Sequence, residues 1–131
     1  PCRWIVLTGG EPSLQLDLPL VTALHAAGFQ LAIETNGTHN LDALGLDWVC
    51  VSPKTAEHTL RQLTAHEVKY VRCTGQGIPK PRVVAEHYLL SPAFEPDGTV
   101  PATTLRWCIS LCHQHPQWRL SLQTHKLARI R

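Results

Sequence analysis

Short apolar runs alternate along the chain with longer amphipathic stretches. Strand-like segments recur at 4–8, 29–34, 47–52, 68–72, 85–90 and 118–122. Helical periodicity covers 14–27 and 101–115, and a shorter helix is expected at 57–66. In the first helix Leu14, Leu18, Val21, Leu24 and His25 fall near one face, and Gly28 is a fitting stop. Pro101 suits the first turn of the helix at 101–115, and Pro116 follows its end. Strands alternating with helices predict an α/β fold with a mostly parallel sheet of about six strands and right-handed crossovers. The stretch CTGQGIPKPRVV, 73 to 84, reads as the one flexible connection. No second domain, repeat or low-complexity tract appears, which predicts one domain over 1–131.

The polar residues gather just after the strands: TGGEPS after the first, ETNGT after the second, SPK after the third and SPAFEPDG after the fifth. In a parallel sheet those strand ends share one edge, so the loops are expected to converge on one cleft, where α/β proteins hold ligands. Gly9 and Gly10 let another group approach bare backbone, and Pro12 fixes the turn beside them. Glu11 and Glu34 are carboxylates suited to a ligand ammonium, to sugar hydroxyls or to acid–base work, and Lys54 is suited to a ligand carboxylate. Thr8, Thr35 and Ser52 offer hydroxyls. The phosphate-cradling Gly-x-x-x-x-Gly-Lys and the dinucleotide-binding Gly-x-Gly-x-x-Gly patterns are both absent. A zwitterionic ligand fits this mixture best.

Composition narrows the classes. The 131 residues are 44% hydrophobic and 17% charged, ordinary globular material. A net charge of +2 without a basic stripe argues against nucleic acid as a partner. No apolar run approaches the roughly 20 residues of a membrane helix, and with no secretory signal visible the expected location is the cytoplasm. The chain begins with Pro1, contains no methionine and enters a strand almost at once, which predicts a fragment or a processed chain. The five cysteines, Cys2, Cys50, Cys73, Cys108 and Cys112, are odd in number and scattered, as reduced thiols are. Cys50 reads as a buried strand residue, and Cys108 and Cys112 as packing on one helix face. A zinc site joining those two to His113 and His115 is the alternative reading. Trp48, Trp107 and Trp118 read as core or edge packing.

Four segments carry a resemblance. LTGGEPSLQ is similar to the Gly-Gly-Glu-Pro motif of the radical S-adenosylmethionine enzymes. Followed in order by IETNGT, VSPK and LSLQTHKLARIR, it resembles the 7-carboxy-7-deazaguanine synthase family of queuosine and deazapurine biosynthesis, over essentially the whole chain. The resemblance implies a partial TIM-like barrel lacking the first strand–helix unit, and a lyase reaction. By this resemblance a [4Fe–4S] cluster would reduce S-adenosylmethionine, and the radical formed would abstract hydrogen from 6-carboxy-5,6,7,8-tetrahydropterin. A magnesium-assisted ring contraction then expels ammonia. It further implies a flavodoxin-like reductant and a possible homodimer. By the same resemblance Gly9, Gly10 and Glu11 hold the methionine end of the cofactor, and Ser52, Pro53, Lys54, Ser91, Pro92, Ala93 and Phe94 border it. Thr8, Gln123, His125 and Arg131 belong to the pterin side.

The departure lies in the metal ligands. The family's Cys-x-x-x-Cys-x-x-Cys triad precedes Gly-Gly-Glu-Pro, and here only Cys2 does. The threonine expected to hold magnesium is missing as well. Without three thiolates a [4Fe–4S] cluster is not held, so the expectation is a family enzyme whose present chain is inactive. A non-catalytic binding module keeping part of an S-adenosylmethionine cleft is the alternative.

Overall fold

The computed structural model describes residues 1–128, and its six strands stand in the sheet in chain order. They are β1 (Trp4–Leu7), β2 (Gln30–Thr35), β3 (Trp48–Val51), β4 (Thr64–Arg72), β5 (Val84–Pro92) and β6 (Trp118–Leu120). The pairs β1–β2, β2–β3, β3–β4 and β5–β6 are parallel. The Val84 N–H donates to the Leu63 carbonyl and the Ala93 N–H to the Arg72 carbonyl, one register at both ends of β4 and β5, as parallel neighbours keep. The α/β architecture with a mostly parallel six-stranded sheet is the one the apolar pattern predicts.

The chain forms two compact units, residues 1–68 with 81–86, and residues 69–80 with the described residues from His87 onward. In the first, the pleat of β2 turns Leu31, Ile33 and Thr35 to one buried face. They pack in a core with Val21, Val49, Cys50, Val51, Leu60 and Val68. The helix α1 (Leu18–Ala26) starts where Asp17 caps it, its carboxylate accepting from the Leu20 N–H at 2.9 Å. It ends in a Schellman turn: Gly28 at φ +83° donates to the His25 carbonyl and Phe29 to that of Leu24. The helix is shorter than expected because Pro12–Leu14 closes as a separate 3-10 turn. Of the expected apolar face only Val21 is buried; Leu14 and Leu18 are exposed.

The helix expected at 57–66 is the clearest correction. Only Glu57–Thr59 turns, as 3-10, and β4 starts at Thr64. The Arg61 and Gln62 N–H groups both donate to the Gly37 carbonyl, which holds that stretch extended. The β-branched and aromatic run after it then favours a strand.

In the second unit Trp118 sits edge-on to Tyr70 and Tyr88, with centroids 6.0 and 5.3 Å away. The helix α2 (Ala102–Gln114) buries Thr104, Cys108 and Leu111, one helical stripe, with Pro101 at its N-cap. A short helix α3 (Thr124–Leu127), not foreseen, covers THKL, with Gln123 at its N-cap. No helix of the described residues is long and apolar enough to cross a membrane.

Candidate functional site

The loop after β1 is organised by one carboxylate. Beyond the Gly9–Gly10 bend Glu11 stands in extended conformation at the N-cap of the Pro12–Leu14 turn, its side chain turned onto the Ser13 N–H. Its Oε1 accepts from the Ser13 N–H at 3.2 Å, the Ser13 hydroxyl at 2.6 Å and the Thr35 hydroxyl at 2.6 Å. Its Oε2 accepts from the Asn36 N–H at 2.7 Å. Burial by itself pushes the Glu11 carboxyl up. The hydrogen bonds of Ser13, Thr35 and Asn36 outweigh it, so the group lies below its ordinary value and stays ionised. Glu11 thus ties the end of β1 to the end of β2.

The other loops join through Thr35. Its carbonyl accepts from the Ser52 N–H at 2.7 Å, where β3 ends, and the Lys54 ammonium donates to the Ser52 hydroxyl at 3.3 Å. Beyond it, Asn36 Oδ1 accepts from the Thr38 N–H and hydroxyl at 2.9 and 2.7 Å, the side-chain turn that Asn-Gly sequences form. His39 Nδ1 lies 3.2 Å from the Ser13 hydroxyl and 3.1 Å from that of Thr38. The loops holding Thr8 to Pro12, Glu34 to Thr38 and Ser52 to Lys54 therefore meet at the C-terminal ends of β1, β2 and β3.

Beside them a cleft of about 610 Å³ is lined by Val6, Thr8, Gly9, Gly10, Glu11 and Leu20, among others. The size suits a small-molecule site. Gly9 stands at φ +118°, and a Cβ added at either glycine would meet no heavy atom within 4 Å, so bare backbone faces open space. Apolar walls with a carboxylate and main-chain groups at the rim suit a ligand carrying an ammonium on an apolar body. A smaller hollow of about 320 Å³, bordered by Leu41, Asp42, Gln62, Thr64, His66 and Glu86, contains none of the residues singled out from the sequence.

The remaining expected residues lie in the second unit. Ser91 and Pro92 close β5 and are buried, and the Ser91 hydroxyl has no hydrogen-bond partner among the described residues. The Ser121 N–H donates to the Leu90 carbonyl, and the Lys126 ammonium lies 5.0 Å from the Phe94 ring centre. The segment Ser91 to Phe94 is thus brought to that of Gln123 and His125, with Gln123 at the N-cap of α3 and His125 exposed within it. Arg131 lies outside the described residues.

The thiols do not assemble a metal centre. Among the described residues no group of three or more His, Cys, Asp or Glu side chains is placed to hold a metal ion. Cys50 and Cys108 are buried, and burial pushes the Cys108 and Cys112 thiols up, which keeps them as neutral packing groups rather than thiolate ligands. The donor set for an iron–sulfur cluster is therefore not met by these residues, and the zinc alternative at Cys108 to His115 is not supported. Sequence reasoning passed over Ser13, Asn36 and His39 as site residues. The signal for Ser13 was its place two residues after Glu11, within reach of the carboxylate by an Asx-like turn.

No family model matches the chain. The 7-carboxy-7-deazaguanine synthase of Bradyrhizobium diazoefficiens is 46% identical over 132 residues, which cover 98% of this chain and 60% of that protein. The synthase of the same name from Bacteroides thetaiotaomicron is 42% identical, over 100% of this chain and 67% of its own length. The crystal structure of QueE from Escherichia coli superposes with a TM-score of 0.63 at 30% identity, covering 92% of this chain and 56% of that one. The chain thus spans about 60% of the length of the first of these relatives. With the Gly-Gly-Glu-Pro loop set against the Thr35–Asn36 turn, and with these likenesses, the chain belongs to the 7-carboxy-7-deazaguanine synthase family.

Proposed function

We propose that this chain carries the cofactor-binding part of a 7-carboxy-7-deazaguanine synthase. Such a radical S-adenosylmethionine lyase converts 6-carboxy-5,6,7,8-tetrahydropterin to 7-carboxy-7-deazaguanine with loss of ammonia, in queuosine biosynthesis. The observation that supports this most is the Glu11 carboxylate, ionised and set at the rim of an open cleft beside the bare backbone of Gly9 and Gly10. In this reading Gly9, Gly10 and Glu11 receive the methionine ammonium, and Lys54 answers the carboxylate of the same zwitterion. Ser52 and Pro53 border the cofactor. The segment Ser91 to Phe94 does so too, its orphan Ser91 hydroxyl supplying an unmet hydrogen bond. Thr8, Gln123, His125 and Arg131 serve the pterin.

The reading stops at binding for the described residues, since they offer no three-ligand set for a cluster. The [4Fe–4S] cluster, Mg2+ and a flavodoxin-like reductant belong to the activity of the whole synthase, with the cytoplasm as its location. In this reading the chain, acting alone, is a binding module without turnover. A homodimer is proposed through β1. β1 stands at the edge of the sheet among the described residues, and open sheet edges pair readily through their backbone.

The test is a calorimetric titration of S-adenosylmethionine into the chain. A saturable heat is expected, with affinity weakened about tenfold or more in Glu11→Ala, as loss of a hydrogen bond to a charged group implies. No saturable heat in the parent chain would overturn the reading.

A further inference from the structure

We propose that Thr35 is a positioning residue that orients the Glu11 carboxylate, leaving Oε2 as the one oxygen free to take a ligand cation. A carboxylate offers about four lone-pair directions, about two on each oxygen. Oε1 already accepts three hydrogen bonds, two from Ser13 and one from Thr35, and is saturated. Oε2 accepts one, from the Asn36 N–H, and keeps a direction open. Glu11 is only partly buried and lines the cleft, so that direction is accessible to a ligand.

The hydroxyl of Thr35 has no freedom in this role. The Gly37 N–H donates to Thr35 Oγ1 at 3.1 Å, and an N–H cannot accept, so the hydroxyl hydrogen goes to Glu11 at 2.6 Å. Thr35 is 3% exposed, so its hydroxyl is largely shielded from bulk water. The backbone of the same residue holds the β3 loop through the Ser52 N–H. Ser13 is different. It belongs to the loop of Glu11 itself and moves with it, so it braces the carboxylate without fixing it relative to the sheet. Thr35 sits on β2, paired to β3 at Val51, and is the rigid end of the link.

The inference deepens the cofactor-site reading and rests on it for the nature of the ligand. The experiment keeps the two apart by reading the carboxylate directly. The Glu11 side-chain carboxyl carbon is followed by NMR through an acid titration in the parent chain, in Thr35→Val, which keeps the shape and loses the hydroxyl, and in Thr35→Ser, which restores the hydroxyl. An upward shift of the Glu11 midpoint is expected in Thr35→Val and its return in Thr35→Ser. Thr35→Ala carries the same expectation and replaces the valine variant should that one fail to fold. In calorimetry S-adenosylmethionine is expected to bind Thr35→Val about tenfold more weakly than Thr35→Ser. An unchanged Glu11 midpoint in both Thr35→Val and Thr35→Ala, or a serine variant that fails to restore it, overturns the positioning role. Normal midpoint behaviour with no S-adenosylmethionine binding even in the parent chain overturns the role towards a ligand cation and the cofactor-site reading together, while leaving the link between Thr35 and Glu11 standing.

Discussion

Replacing Gly37 by alanine tests how tightly the β2 loop is seated, and the structure sets the size of the effect. Gly37 stands at φ +81°, where an L-residue with a side chain is strained by roughly 1–2 kcal/mol. The added Cβ would lie 2.7 Å from Val51 Cγ1 and 3.5 Å from Leu60 Cδ2. Both neighbours are fully buried, and neither is a flexible surface group that swings aside. Overpacking of that kind costs about 1–3 kcal/mol. The expected total is roughly 2–5 kcal/mol, a large part of the about 5–15 kcal/mol that holds a domain folded. Gly45 provides the control. It also has a positive φ, +69°, but a Cβ there would meet nothing within 4 Å. Gly45→Ala should therefore show the strain alone, about 1–2 kcal/mol. Urea unfolding of both variants, followed by circular dichroism at neutral pH, reads the difference. Equal losses at the two positions would refute the argument that Val51 and Leu60 fill the space behind Gly37.

Two further expectations concern the polar ties. Burial raises the Glu11 carboxyl, but its hydrogen bonds from Ser13, Thr35 and Asn36 bring it below the ordinary 4.5. Asp42, through Asn40 and Gln62, and Asp47, through the Leu31 N–H and His25, lie below 3.8. Groups lowered in the fold stabilise it above their ordinary values and lose that contribution as pH falls through the lowered ones, so urea midpoints should drop from about pH 4.5 downward. Glu11→Gln should flatten the upper part of that drop, and an unchanged acid limb in this variant would contradict the Glu11 link. Gln62 is buried, accepting from the Leu41 N–H at 2.7 Å and donating to Asp42 and the Thr64 carbonyl at 2.7 and 2.8 Å. Gln62→Leu keeps the volume but orphans a buried N–H and a carbonyl, so thermal or urea unfolding should report a loss of about 2–4 kcal/mol, and a neutral result would count against it.

The six strands were legible because each contains a short strand-like run, most of them with a turn residue close by. The cap of α1 was legible in part. Gly28 was recognisable as its stop, whereas its start at Leu18 depends on Asp17 capping the Leu20 N–H in preference to Leu14 beginning the helix. The stretch 57–66 failed for a tertiary reason: its extended form is held by hydrogen bonds to the Gly37 carbonyl, a partner some two dozen residues away that no local periodicity registers. At the site, motif and strand-end position pointed to Thr8 through Glu11 and to Ser52 through Lys54. What stayed hidden was the division of labour inside the cluster. Glu11 reads as a ligand group from its type, but three of its hydrogen bonds converge on one oxygen and fasten two loops. Thr35 reads as one hydroxyl among several, and only the register β2–β3 and the Gly37 N–H reveal why its proton has one place to go.

The central claim is that these loops form part of a cofactor site that is completed by a cluster held elsewhere in the synthase. Its most direct measurement compares S-adenosylmethionine affinity by anaerobic calorimetry in two proteins. One is this chain alone; the other is the chain fused to an N-terminal segment bearing the family's Cys-x-x-x-Cys-x-x-Cys triad and reconstituted with iron and sulfide. Weak, Glu11-dependent binding is expected in the first and binding at least tenfold tighter in the second, because a cluster held by that segment would add ligand contacts to the amino and carboxylate groups proposed to meet Glu11 and Lys54. Equal affinity in the two proteins would contradict the claim.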